Sequence, residues 1–173
     1  MGTMKRALKS LVVVAMLALG GALAQDGWAS LRGSFGLGTT VSYGFAGSLG
    51  AELEWLDPSL RVYPRGSVAY LLDLEMLLSG PRYGVLIEGG GAIYSNYDRT
   101  GLFGAIRAGG GLLIENSIGT FVTTLGLTGG YRMSEGPIEM GLEGGLRITS
   151  TDLGNVTVLE FSPLLRLSAG VRF

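Results

Sequence analysis

A two-residue alternation of apolar and polar side chains, which runs from Leu31 to Phe173, constrains this chain more than any other feature. Successive side chains of an extended strand point to opposite faces, so this period indicates strands with one apolar and one polar face. Between Leu31 and Trp55 the odd positions are mainly apolar, whereas the even positions are small, polar or charged. The pattern then recurs along the rest of the chain, interrupted by short groups of turn residues.

Those interruptions divide the sequence into strands. Turns are predicted at residues 39–42, 57–59, 79–81, 97–100, 115–117, 133–137 and 152–155. They leave eight strands, and an even number suits an up-and-down antiparallel barrel. Residues 60–78, with Pro64 near their start, are interpreted as one strand, although two strands there would give nine. The predicted fold class is therefore all-β, an eight-stranded up-and-down antiparallel transmembrane β-barrel.

The N-terminus has the pattern of an export signal. Lys5, Arg6 and Lys9 precede an apolar run over residues 11–19, and the small residues Ala22 and Ala24 form a cleavage signal. The run is shorter than the roughly 20 residues that a spanning helix requires, although an uncleaved anchor is the alternative. We expect residues 1–24 to be a cleaved signal peptide and residues 25–173 to be the barrel.

The charged residues of the predicted barrel fall on the polar face. Beyond residue 24 every basic residue is an arginine, and none of the charges in the assigned strands interrupts the apolar face. Buried charges require partners, and the planar fork of arginine suits bidentate pairing with carboxylates. A lipid-facing surface would exclude charge. We therefore predict an inward-facing charge network of Arg32, Glu52, Glu54, Arg61, Arg65, Asp73, Glu75, Arg82, Glu88, Arg107, Arg132, Glu139, Glu143, Arg147, Glu160, Arg166 and Arg172.

The size of the inward side chains decides whether the lumen is open. Eight strands generally leave an interior that side chains fill. Many inward positions are glycines that can leave water-filled gaps, but bulky inward residues are expected to close them: Tyr63, Leu71, Leu77, Leu86, Tyr94, Phe103 and Leu113. Outward aromatic residues are expected at the two rims, including Trp55 and Tyr131 at one and Tyr83 and Phe121 at the other.

The last strand adds a more specific signal. Leu165, Leu167, Ala169, Val171 and the terminal Phe173 alternate along one face. This segment resembles the C-terminal assembly signal of bacterial outer-membrane β-barrel proteins, which the barrel-assembly machinery recognises. With the signal peptide and eight strands, the chain resembles the small eight-stranded OmpA/OmpX-like barrel family. The resemblance implies a bacterial outer-membrane location, with lipid and the assembly machinery as partners, although members of that family often have longer outer loops.

Composition excludes most chemistry. The chain has no His and no Cys, so it lacks the pairs used in nucleophilic catalysis and the usual transition-metal ligands. Its formal net charge of −1 gives no basic field for nucleic acid. We expect no enzyme activity and no cofactor. The predicted function is a structural or envelope-integrity role; a narrow channel for ions or small solutes and a soluble lipocalin-like ligand carrier are the alternatives.

Overall fold

The described part of the chain folds into a ring of eight antiparallel strands, and the predicted fold class is confirmed. The computed structural model describes residues 29–40, 44–79, 82–115, 118–152 and 156–172. The strands are β1 (Ala29–Thr40), β2 (Gly44–Val62), β3 (Gly66–Ser79), β4 (Arg82–Tyr94), β5 (Gly101–Glu115), β6 (Ile118–Glu135), β7 (Ile138–Asp152) and β8 (Thr157–Arg172). Each strand pairs with its sequence neighbours, and β1 pairs with β8 to close the barrel. Within this described part of the chain, no helix is long and apolar enough to cross a bilayer.

The register of the eight pairings staggers the strands. Arg32 pairs with Gly170 across the closing β1–β8 seam. In the other direction Arg32 pairs with Glu52, and the successive pairings then lead around the ring to Glu160. The stagger is therefore ten residues, the separation of Glu160 from Gly170 along β8. A stagger of this size tilts the strands steeply, as in barrels whose strands lie about 35–45° from the axis.

The hairpin between β2 and β3 differs from the prediction. The predicted turn at residues 57–59 is wrong, because β2 continues to Val62 and the chain turns at residues 63–65. A β-bulge between Leu56 and Arg61 absorbs the extra residues. Residues 60–62 therefore complete β2, while β3 begins at Gly66, and the strand count stays at eight. The turn also leaves Tyr63 almost fully exposed, so its expected inward position is wrong.

The two faces of the sheet have opposite chemistry. Every second side chain faces outward, and this outer surface carries large apolar residues that are about half exposed, such as Phe35, Leu102 and Leu127. Among the outward aromatic residues, the Trp55 ring lies 5.8 Å from that of Tyr70. The inner face instead buries arginines and carboxylates. This arrangement is the reverse of a soluble barrel, in which apolar residues fill the interior.

Inward glycines permit the tight curvature of the ring. A Cβ added at Gly90 would collide with the carbonyl oxygen of Ile106 on the neighbouring strand. At Gly170 it would collide with Arg32, the residue directly opposite in the register. The absence of a side chain at Gly170 therefore makes room for an arginine of the interior network.

Candidate functional site

Most of the predicted network residues lie buried inside the barrel. The inward positions of strands β1 to β8 bring together Arg32, Glu52, Glu54, Asp73, Glu75, Glu88, Arg107, Arg132, Glu139, Glu143, Arg147 and Arg166, each no more than 7% exposed. Arg172 joins them from the end of β8 with its side chain 22% exposed. The ring thus collects charges that are far apart in sequence.

The part of the network nearest the ends of β1 and β8, here called the terminal cluster, consists of Arg32, Arg99, Arg132, Arg172, Glu54 and Glu139. Arg32 donates from Nη2 to Glu54 Oε2 at 2.5 Å and from Nη1 to Glu139 Oε2 at 2.9 Å. Arg132 Nη1 donates to Glu54 Oε2 at 2.6 Å. Arg172 Nε donates to Glu139 Oε1 at 2.8 Å. Each carboxylate of this cluster therefore serves several arginines.

Tyr94 and Phe103 fill the space beside this cluster. The Tyr94 hydroxyl donates to Glu54 Oε2 at 2.5 Å and accepts a hydrogen bond from Arg132 Nη1. The Arg132 guanidinium lies 5.0 Å from the Tyr94 ring centroid and 4.9 Å from that of Phe103. Such cation–π contacts hold a buried guanidinium in place. The two inward aromatic residues thus occupy space beside the terminal cluster and support its charges.

Arg99 also belongs to the interior, although it was not among the predicted network residues. It lies in the β4–β5 turn with a φ of 62°, and only 2% of the residue is exposed. Its Nε lies 3.7 Å from Glu54 Oε1, and its Nη2 lies 4.0 Å from Glu139 Oε1. Burial lowers the pKa of the Arg99 guanidinium, and the two carboxylates oppose that shift. The turn therefore directs a charge back into the barrel end, which alternation along strands does not reveal.

A second group, the central cluster, contains Arg107, Arg147, Arg166, Glu52, Asp73, Glu75, Glu88 and Glu143. Arg107 donates to Glu52 Oε2 at 2.6 Å and to Glu143 Oε1 at 2.5 Å. Glu52 also accepts from Arg32 through Oε1 at 2.5 Å, so this carboxylate joins the two clusters. The network is continuous from the terminal end into the middle of the lumen.

On the other side of the central cluster, two arginines share three carboxylates. Arg166 Nη1 donates to Asp73 Oδ2 at 2.5 Å, and its Nη2 donates to Glu75 Oε2 at 3.3 Å. Arg147 Nη2 donates to Glu75 Oε2 and to Glu88 Oε2, the second at 2.9 Å. The arginines therefore use one oxygen of each carboxylate.

Three predicted network residues, Arg61, Arg65 and Glu160, stand apart from these clusters among the described residues. Placing Arg61 and Arg65 inside was wrong, because both are exposed in and beside the turn that ends β2. Arg61 instead lies over the Tyr97 ring, 5.7 Å from its centroid. Glu160 is partly exposed, and its Oε1 has no hydrogen-bond partner among the described side chains. The Arg82 side chain lies outside what the structure describes.

The other predicted sites lie only partly within the described residues. Leu165, Leu167, Ala169 and Val171 lie exposed on the outer surface of β8, on one face as expected. Phe173 lies outside the described residues, as do Ala22, Ala24 and the rest of the predicted signal peptide. The assembly signal and the cleavage site therefore stay predictions.

The two clusters balance one another in charge. Together they contain seven arginines and seven carboxylates among the described residues. Taking charges out of water is costly, but shared, charge-assisted hydrogen bonds offset that cost. Such a network ties the strands together across the lumen.

No protein-family model matches this sequence, and neither does any curated protein sequence. Among solved structures, the barrel is similar to the crystal structure of Neisserial surface protein A (NspA). The TM-score is 0.51 at 12% identity, over 86% of this chain and 98% of that one. It is also similar to a structure from the de novo design of transmembrane β-barrels, with a TM-score of 0.43 at 11% identity over 83% of this chain and 95% of that one. At this identity the likeness to NspA shows the fold alone, and membership of the OmpA/OmpX-like family stays a prediction.

Proposed function

We propose that this protein is a small bacterial outer-membrane β-barrel with a structural role in the envelope, and that its lumen is closed rather than conducting. The buried network of arginines and carboxylates is the observation that carries this proposal. Its members contact one another across the ring, as Arg166 does with Asp73 and Arg107 with Glu143. Inward Leu71, Leu86, Tyr94 and Phe103 occupy further space in the lumen.

The outer surface supports placement in a membrane. Its large apolar side chains are about half exposed, and in the described strands the buried charges face inward. Lipid accepts such a surface, and a closed ring satisfies the backbone hydrogen bonds without water. A soluble ligand carrier is disfavoured because its outer surface would be polar and its cavity apolar.

The proposal further includes outer-membrane lipid as the surrounding medium and the barrel-assembly machinery as the partner during biogenesis. The outward apolar row on β8 supports the second partner, because a recognition segment must be accessible on one face. The proposal includes no enzyme activity and no nucleic-acid partner. It follows the composition, in which His and Cys are absent and the net charge is close to zero.

Planar-bilayer conductance of the folded barrel tests whether the lumen is closed. Folding is first verified by the different gel migration of boiled and unboiled samples. Folded protein that adds no discrete current steps supports the closed lumen. Reproducible steps whose size changes in Arg107→Ala would instead establish the narrow channel. Recovery of the folded protein in the soluble periplasmic fraction would reject the membrane placement itself.

A further inference from the structure

The central cluster contains three carboxylates that face one another without sufficient positive charge. One oxygen from each of Asp73, Glu75 and Glu88 lies within 4.8 Å of the other two. The register explains why, because Asp73 pairs directly with Glu88 and Glu75 lies two residues farther along β3. All three residues are only 1% exposed, so bulk water does not screen them.

Each of these carboxylates has an oxygen that the arginines do not use. Arg147 and Arg166 donate to Asp73 Oδ2, Glu75 Oε2 and Glu88 Oε2. Of their other oxygens, Asp73 Oδ1 and Glu88 Oε1 are buried and accept no hydrogen bond from the described side chains, whereas the Ser48 hydroxyl hydrogen-bonds the Glu75 carboxylate. A buried carboxylate oxygen without a hydrogen bond is costly, and two on neighbouring residues form an environment that favours a bound cation.

The numbers of arginines and carboxylates in the two clusters also favour a cation beside these three residues. The central cluster has five carboxylates, Glu52 included, and three arginines, whereas the terminal cluster has four arginines and two carboxylates. Glu52 joins the two clusters, because it pairs with Arg32 of the terminal cluster. Around Asp73, Glu75 and Glu88 themselves, the ion pairs of the described residues involve Arg147 and Arg166, two positive charges against three negative ones. A bound cation would offset this local excess of negative charge.

We propose that Asp73, Glu75 and Glu88 bind a hard divalent cation of the Ca²⁺ class inside the barrel. Oxygen ligands at about 2.3–2.6 Å from one Ca²⁺ lie up to about 5 Å apart, and one oxygen from each of the three carboxylates lies within 4.8 Å of the others. Carboxylates suit hard cations, and the lack of His and Cys disfavours softer metals. The site goes beyond the structural role, because a closed and a conducting barrel would both contain it.

Equilibrium dialysis with radioactive Ca²⁺ tests this site in the folded, detergent-solubilised barrel after chelator treatment. We expect saturable binding of one ion per barrel. Glu88→Gln should weaken it at least tenfold, whereas Glu139→Gln, an equally buried carboxylate of the terminal cluster, should keep it. A folded wild-type barrel that binds no Ca²⁺ at millimolar concentration would overturn the proposal. Equal weakening of Ca²⁺ binding in folded Glu88→Gln and folded Glu139→Gln would also overturn the proposal, because the ion would then bind elsewhere.

A thermal measurement covers the case in which Glu88→Gln does not fold. A ligand that binds only the folded state raises the unfolding midpoint as its concentration rises. The wild-type midpoint should rise with Ca²⁺, and the rise should disappear in Asp73→Asn. An unchanged wild-type midpoint would contradict the proposal.

Discussion

The two clusters of the lumen differ in the balance of their buried charges. In the terminal cluster carboxylates are scarce, and Glu54 Oε2 alone accepts from Arg32, Arg132 and Tyr94. The other oxygen, Glu54 Oε1, has no hydrogen bond among the described residues but lies 3.7 Å from Arg99 Nε. In the central cluster carboxylates are abundant, and Glu88 accepts from Arg147 through Oε2, while its Oε1 has no hydrogen-bond partner among the described residues. Carboxylates are therefore too few for the arginines in the terminal cluster and too many for them in the central cluster. The energetic value of a buried charge depends on the local balance of partners rather than on burial itself.

Removing one carboxylate from each cluster tests this contrast most strongly. Glu54→Gln should destabilise the barrel by about 3–5 kcal/mol, because it removes the negative charge that buried Arg32 and Arg132 share. Without bound cation, Glu88→Gln should cost much less, because it relieves an excess of negative charge. The free energy of unfolding, from urea titrations of folded protein in lipid vesicles, gives both values. Equal losses would show that the two clusters do not differ.

Arginine removal should produce the reverse order. Arg107→Ala deprives Glu52 and Glu143 of a donor in the cluster that already lacks positive charge. Arg172→Ala removes a partly exposed donor from the cluster with spare arginines. We expect a loss of about 3 kcal/mol for Arg107→Ala and clearly less for Arg172→Ala in the same titrations. A larger loss for Arg172→Ala would contradict the charge balance described here.

A substitution that adds a methyl group at a crowded glycine, without changing any charge, should have a moderate effect on the free energy of unfolding. A Cβ at Gly170 would lie 2.2 Å from the Leu31 carbonyl oxygen and 2.4 Å from Arg32 Cγ, so the β1 backbone as well as the Arg32 side chain would have to shift. A Cβ at Gly126 would lie 3.9 Å from Arg107 Cβ, an ordinary contact. Gly170→Ala should therefore cost about 1–3 kcal/mol, as overpacking does. Gly126→Ala serves as the matched control, with a change close to zero. Tolerance of both substitutions would mean that Arg32 can repack.

The smallest effect is expected outside both clusters. Arg61 is exposed, and its guanidinium lies over the Tyr97 ring. Arg61→Ala should leave the urea midpoint unchanged within error, because exposed contacts contribute little. A loss as large as that of Arg107→Ala would show that the β2 end has a structural role beyond what its geometry indicates.

Alternation was sufficient to predict the strands and their faces, but local turn chemistry misplaced one hairpin. Asp57, Pro58 and Ser59 are strong turn formers, and Ser59 N does donate to Asp57 Oδ1 at 2.9 Å. That local bond forms within the β-bulge of β2, and the chain reverses later at residues 63–65. Sequence distinguishes poorly between a bulge and a turn, because both use the same residues.

The sequence was sufficient to predict most members of the network, but not which of them form pairs. A two-residue period tells which side chains face inward, yet their height along the axis depends on the stagger of the closed ring. The division into two clusters, with Glu52 between them, therefore required the register. Arg99 was missed for another reason, since a turn residue with positive φ follows no strand period.

The long reach of the ion pairs has a consequence for biogenesis. Arg32 and Glu139 are 107 residues apart in sequence, and Asp73 and Arg166 are 93 apart. A sheet of only a few strands would present these charges to hydrocarbon before their partners arrive. Hairpins inserted one at a time would thus be less stable than either the unfolded chain outside the bilayer or the finished ring. Insertion and closure should occur as one cooperative event, in which the late strands β7 and β8 neutralise charges on β1 and β3.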